Sequence, residues 1–294
     1  MKQVLYISSL LLLLGGCDLD SYMYNPDPDI DSYQLDDYEG ESELVTGPEY
    51  DLDDSLITLF TLPPNEEREN DLHAVYLGDI DEIDRDTVIV YCHGNAGNLD
   101  YYWHRAKLLA HVGGKSRFGV MMMDYQGYGL SKGEPTEQNL INDVNDVLQW
   151  LKDQGLSDDR LIIYGFSLGS TPATYHAANK SAMNPAWLIL EAPFASQEII
   201  TQDASKLALP NEFISTEKHE VAQMINSVYQ PFLWFHGIDD SYLNIETHGE
   251  VVFKNYSGKK GVANRVAGAE HGDLPLVMGY DEYTSAIEDF IFLP

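Results

Sequence analysis

The sequence predicts an α/β fold in which a mostly parallel central sheet is flanked by helices. Two observations carry that expectation. Short apolar, β-branched runs alternate with segments whose apolar residues recur at helical spacing, as in βα units that feed a parallel sheet. The 294 residues, 44% of them hydrophobic, can bury a sizeable core and suit one large domain better than two small ones.

Taken in order, residues 72–77 and 87–92 read as strands, and a helix is expected over 102–112. Strand 118–123 follows. Leu140, Ile141, Val144, Val147, Leu148 and Leu151 have the period of a helix that Gly155 would end. Residues 161–164, 187–190 and 232–235 are short apolar runs of the kind that parallel sheets bury on both faces. A weaker strand signal spans 262–266, and a C-terminal helix is expected over 283–292. No internal repeat is present. Functional groups in such folds gather at the carboxyl ends of the strands.

Ahead of this domain stand Met1-Lys2-Gln3, a mostly apolar stretch over 4–14, and Gly15-Gly16-Cys17. The stretch is too short to span a bilayer but suits the apolar region of a signal peptide. Leu14-Gly15-Gly16-Cys17 resembles the lipobox of bacterial lipoproteins. That resemblance implies cleavage before Cys17, lipid on its thiol, and attachment to a membrane of the bacterial cell envelope. Asp18 resembles a retention signal for the inner membrane, which points to its periplasmic face, with the outer membrane as the alternative. The expected organisation is a signal peptide over 1–16, an acidic tether over 17–50 and a folded domain over 51–294. Tyr22, Tyr24, Tyr33 and Tyr38 in the tether are large aromatic groups expected to cover apolar surface, so the tether should lie partly on the domain. Cys92 is the other cysteine, so the mature domain has no intramolecular disulfide, and its apolar setting predicts a buried, inert thiol.

Seventeen basic residues face 48 acidic ones, a formal net charge of −31. Such a field repels phosphate backbones, so nucleic acid is excluded as an expected partner. The acidic excess reads as a solubility device and names no substrate.

The chemistry is concentrated in two strand-end turns. Residues 161–164 run into Gly165-Phe166-Ser167-Leu168-Gly169, a G-x-S-x-G turn in which a sharp strand-to-helix bend projects the serine clear of the sheet. The glycines let neighbouring backbone come close. Pro172 falls inside the following helix and is expected to distort it after the first turn. Strand 87–92 opens into His93-Gly94-Asn95-Ala96-Gly97-Asn98, which can aim a backbone N–H near Asn95 at a developing oxyanion; the Leu168 N–H would be the second donor. No histidine or cysteine cluster has metal-ligand spacing, so neither a metal nor an organic cofactor is expected.

These two turns, together with Asp124-Tyr125-Gln126-Gly127-Tyr128-Gly129-Leu130-Ser131 between them, resemble the motifs of the α/β-hydrolase superfamily. The similarity runs from about residue 72 to the end and is closest to a group of bacterial hydrolases and their eukaryotic α/β-hydrolase-domain relatives. Tyr22-Met23-Tyr24-Asn25-Pro26 is also similar to the start of some lipoprotein members. The resemblance implies the chain order nucleophile, acid, histidine. Ser167 is then the nucleophile, and Asp124, which precedes it, is structural. Phe232-Leu233-Trp234-Phe235-His236-Gly237-Ile238-Asp239-Asp240 ends in two carboxylates, of which the family pattern HGxxD selects Asp240 and leaves Asp239 as runner-up. Of the later histidines, His271 lies in a loop similar to the family's final histidine loop. His248 reads as an exposed helix residue and His236 as part of its turn. Residues 194–230 occupy the place of the fold's lid, which at this length is short and leaves an accessible pocket. The implied function is a serine hydrolase acting on an ester or related acyl bond, with a small-molecule acyl substrate and a membrane held through lipid as partners. The alternative is a catalytically idle hydrolase fold that serves as an envelope binding or scaffold protein.

Overall fold

The computed structural model describes residues 23–115, 117–205 and 215–293. The expected signal peptide and Cys17 lie outside them. Residues 88–92, 161–166 and 232–235 are mostly apolar runs, and each lies in a strand buried along its whole length: β4 (Val88–Cys92), β7 (Leu161–Phe166) and β9 (Phe232–Gly237). With β8 (Trp187–Glu191) and β6 (Gly119–Met123) they make the parallel centre of one sheet. The full order is β10-β9-β8-β7-β4-β6-β3-β2. Here β10 (Gly261–Val266) continues the parallel set, whereas β3 (Leu72–Leu77) and the edge strand β2 (Ile57–Leu62) run antiparallel. A separate two-residue pairing joins β1 (Asn25–Pro26) to β5 (Ala96–Gly97).

Alternate strand residues point to opposite faces, and each face has its own core. Val88, Val90, Cys92, Ile163 and Trp234 pack beneath α2 (Glu137–Asp153) and α3 (Ser170–Ala178). Ile89, Tyr91, Ile162 and Phe235 pack beneath α1 (Leu99–Ala110) and the C-terminal helix α8 (Tyr280–Phe292). Among the described residues the remaining α-helices are α4 (Gln197–Ser205), α5 (Val221–Met224), α6 (Gly249–Asn255) and α7 (Leu274–Met278). Of these, α4 and α5 lie in the 194–230 insertion. Among the described residues no helix is long and apolar enough to cross a membrane. Cys92 is buried, and burial alone raises its thiol pKa, as an inert cysteine requires.

Three expectations need correction. The helix expected at 102 begins at Leu99, because the Asn98 side chain accepts the Asp100 N–H and caps it. Pro172 does not distort α3 after its first turn: it is the helix's third residue, in the first turn, where a missing N–H costs no intrahelical bond. His248 is fully buried rather than exposed, and its Nδ1 accepts the Ala195 N–H at 3.1 Å.

The described part of the acidic segment lies along α1. Asp100 accepts the N–H groups of Gln34 and Leu35, and the buried Lys107 ammonium holds Asp36 and Asp51 at 2.5 and 2.9 Å. Tyr24 is buried, and the Tyr33 hydroxyl donates to Asp124 Oδ2 at 2.7 Å.

Candidate active site

The level register of β4, β7 and β8 sets Cys92 opposite Gly165 and Phe166 opposite Glu191, so the strand ends share one edge. Beyond β7 the backbone turns at Ser167, whose φ of +48° lies in the left-handed region. A non-glycine residue pays roughly 1–2 kcal/mol for that conformation, strain that the packed strand and helix on either side must impose. The flanking glycines are sterically required. A Cβ on Gly169 would collide with the Cys92 carbonyl, and one on Gly165 with the Gly169 carbonyl and Ala173.

Ser167 Oγ lies 2.9 Å from His271 Nε2, and His271 Nδ1 lies 2.8 Å from Asp240 Oδ2. The three residues come from the ends of β7, β9 and β10, 104 and 31 positions apart. Asp240 Oδ1 accepts the N–H groups of Tyr242 and Leu243 at 2.9 and 2.7 Å, and His236 Nε2 lies 3.3 Å from Oδ2. Burial by itself would raise the Asp240 pKa. Hydrogen bonds from His236, His271 and Leu243 outweigh it and hold the carboxyl well below the usual range, so it is ionised beside the imidazole. His271 has Phe166 on one side and Tyr242 on another, with ring centroids 5.3 and 5.0 Å away.

Asp239 does not meet His271. Its Oδ2 accepts the Gly268 N–H at 2.7 Å and ties down the strand-end loop that carries the histidine. His236 belongs to the turn and also contacts the Leu243 carbonyl at 2.9 Å.

Asn95 stands between β4 and β5, and its backbone N–H donates to no other group among the described residues. Leu168 is the second residue of a 3₁₀ turn, where N–H groups have no intrahelical partner. The two expected donors thus border the edge of the sheet that carries Ser167. Among the described residues, one group has metal-ligand geometry: Glu137, Glu217 and His219. Its atoms already serve the protein. Glu217 accepts the Glu137 N–H, Glu137 accepts the Lys218 N–H, and the His219 nitrogens meet Tyr24 and Thr171.

Sequence reasoning missed a buried charge network directly behind the serine. Arg105 Nη1 donates to both Glu191 oxygens at 2.8 Å, its Nε donates to Glu43 at 2.7 Å, and its guanidinium lies 4.6 Å from the Phe166 ring centroid. Tyr164 and Tyr283 hydroxyls complete the shell of Glu191. An arginine in an amphipathic helix gives no local sign that it is fully buried. The signal comes from partners 62 and 86 residues away.

Residues 87–189 match the family model of the alpha/beta hydrolase fold. Human alpha/beta hydrolase domain-containing protein 17B is 28% identical over 205 residues, covering 69% of this chain and 65% of the relative. Mouse domain-containing protein 17C is also 28% identical, over 59% of its length. The chain therefore spans less than two thirds of these relatives. Among solved structures, an esterase from Pyrococcus furiosus superposes with a TM-score of 0.66 at 17% identity, covering 91% of this chain and 96% of that one. A serine hydrolase without lid from Xanthomonas campestris superposes at 0.54 with 15% identity, over 82% and 96%. These likenesses establish the fold.

Proposed function

We propose, starting from a chain that is a member of the α/β-hydrolase superfamily, that it is a serine hydrolase cleaving an ester or related acyl bond through an acyl-enzyme intermediate. The observation that carries this reading is the unbroken path from Ser167 Oγ through His271 to Asp240, two contacts of 2.9 and 2.8 Å. His271 Nε2 takes the serine proton as Oγ bonds to the acyl carbon, and Asp240 holds the imidazole tautomer and stabilises its cation. The N–H groups of Asn95 and Leu168 receive the oxyanion, each donor being worth roughly 3 kcal/mol in the transition state. As the tetrahedral adduct collapses, the leaving group takes its proton from His271. Water then attacks the acyl-enzyme, gives its proton to the same nitrogen, and the acid departs as Oγ is reprotonated.

The test is labelling by a fluorophosphonate probe together with turnover on esters of graded chain length. Labelling and turnover in the intact protein support the reading. A folded protein that shows neither is an idle scaffold.

The same reading includes attachment through lipid on Cys17 to an envelope membrane. The negative field opposes an anionic surface, so acyl chains must hold the protein, at about 0.8 kcal/mol per buried methylene and with more than one chain for stable anchoring. Cys17→Ser should send the protein to the soluble fraction or block its processing. Retention of a processed Cys17→Ser protein on membranes would overturn this attachment.

A further inference from the structure

The described residues of the acidic segment make hydrogen bonds to the turn that carries Asn95 and, through Arg105, reach the loop that carries His271. At the first place, the Asn95 side chain is pinned on three sides. Its Oδ1 accepts the Asn25 backbone N–H at 3.0 Å and the Tyr128 hydroxyl at 2.7 Å, and its Nδ2 donates to the Met23 carbonyl at 2.7 Å. Two of those three bonds come from the tether backbone. Immediately beyond, β1 pairs with β5 in register, and the Asp27 N–H donates to the Gly97 carbonyl at 2.9 Å. The tether residues that hold the Asn95 side chain are thus 70 and 72 positions upstream of it.

At the second place, Glu43 reaches into the buried network. Its carboxylate binds Arg105 at both Nε and Nη2, a two-point contact that fixes the guanidinium plane. The same Nη2 donates to the carbonyl of Gly272, the residue after His271, at 3.3 Å, and the guanidinium faces the Phe166 ring beside Ser167. With Glu43 neutral, Arg105 keeps Glu191 but loses the charge-assisted two-point contact that fixes its guanidinium plane.

We propose that the tether is a working part of the active site: residues 23–25 aim the oxyanion donor at Asn95, and Glu43, acting through Arg105, sets the loop of His271. Asn25 and Glu43 are positioning residues, and the segment that leads to the lipid anchor is the one that completes the catalytic geometry. This inference rests on the serine hydrolase reading.

The test uses the full chain with Asn25→Pro, which removes the backbone donor to Asn95, and Glu43→Gln, which keeps the side chain's shape and removes its charge. Asp29→Ala, at an exposed tether position, is the control. Thermal unfolding checks that each variant is folded. On a short, soluble ester, each positioning variant should lose about 10- to 100-fold in kcat with KM changed less than about twofold, the cost of a misaimed donor or base. The rate of fluorophosphonate labelling should fall in parallel, and Asp29→Ala should match the wild type. If Asn25→Pro does not fold, Glu43→Gln decides. Wild-type kcat in the folded variants, or a loss confined to KM, overturns the inference while the hydrolase reading stands. An inert, unlabelled wild type overturns both.

Discussion

Two His-Gly turns close strands on this sheet, and they are built alike to a surprising depth. His93-Gly94 follows β4 and His236-Gly237 ends β9. Both imidazoles are fully buried, and both contact a backbone carbonyl, His93 Nδ1 that of Gly94 at 2.8 Å and His236 Nε2 that of Leu243 at 2.9 Å. Each faces a buried carboxylate, Asp124 at 3.4 Å and Asp240 at 3.3 Å. They differ in what else the carboxylate meets. Asp124 receives the Tyr33 hydroxyl from the tether, whereas Asp240 receives His271 and, through it, Ser167. A buried His–Asp couple is therefore scaffolding in this fold. In the proposed mechanism, its use in chemistry is decided by whether the carboxylate also reaches His271 and, through it, Ser167.

The largest effects should fall on the chain attached to the second turn. Ser167→Ala should abolish probe labelling and lower turnover by on the order of 10⁶ with the fold retained, and His271→Ala should match it, because residues that act as a unit are lost together. Ester hydrolysis by Ser167→Ala at the wild-type rate would remove the nucleophile assignment. Next, Asp240→Asn should cost about 10⁴ in kcat by stabilising the wrong histidine tautomer. Asp124→Asn should change kcat less than about tenfold, yet destabilise the fold by about 1–3 kcal/mol through its buried contacts. Equal kcat losses at the two positions would erase the distinction between the turns. Smaller still is Asp239→Asn, which weakens only the tie to Gly268 and should cost less than about tenfold. The reverse ranking of Asp239 and Asp240 would show that the acid lies one residue earlier.

Legibility in the sequence followed the range of the forces involved. β4, β7, β8 and β9 were visible because strands buried on both faces must be apolar throughout, a local demand. The serine turn was visible because Gly165 and Gly169 answer a local steric need. Edge strand β2 has several partly exposed residues and follows the acidic segment, so its composition did not set it apart. The Arg105 network and the Asn95 clamp turn on pairs 62, 72 and 86 residues apart, and no periodicity records such pairs. His248 departs from expectation for the same reason: it is covered by the chain around Ala195, 53 residues away.

That correction leads to the smallest predicted effect, a pH dependence on the side of the second turn. His248 Nδ1 accepts the Ala195 N–H, so the ring proton sits on Nε2, which lies 3.5 Å from Asp203 Oδ2. Burial lowers the His248 pKa to about 4 from 6.5; Asp203 and Asp240 pull it up, and His236 and His271 push it down. Because the folded value lies below the unfolded one, the unfolded chain takes up this proton first as the pH falls. The group's contribution to stability is complete above pH 6.5, drains between there and about 4, and is not reduced further below that. The loss should be on the order of 2–3 kcal/mol. His248→Asn keeps an acceptor for the Ala195 N–H and removes the titration. Its denaturant midpoint should therefore vary less across this window than that of the wild type, with a lower plateau above it. An unchanged slope would place the acid sensitivity elsewhere, first at His176, which burial also holds at about 4 on α3, away from both turns.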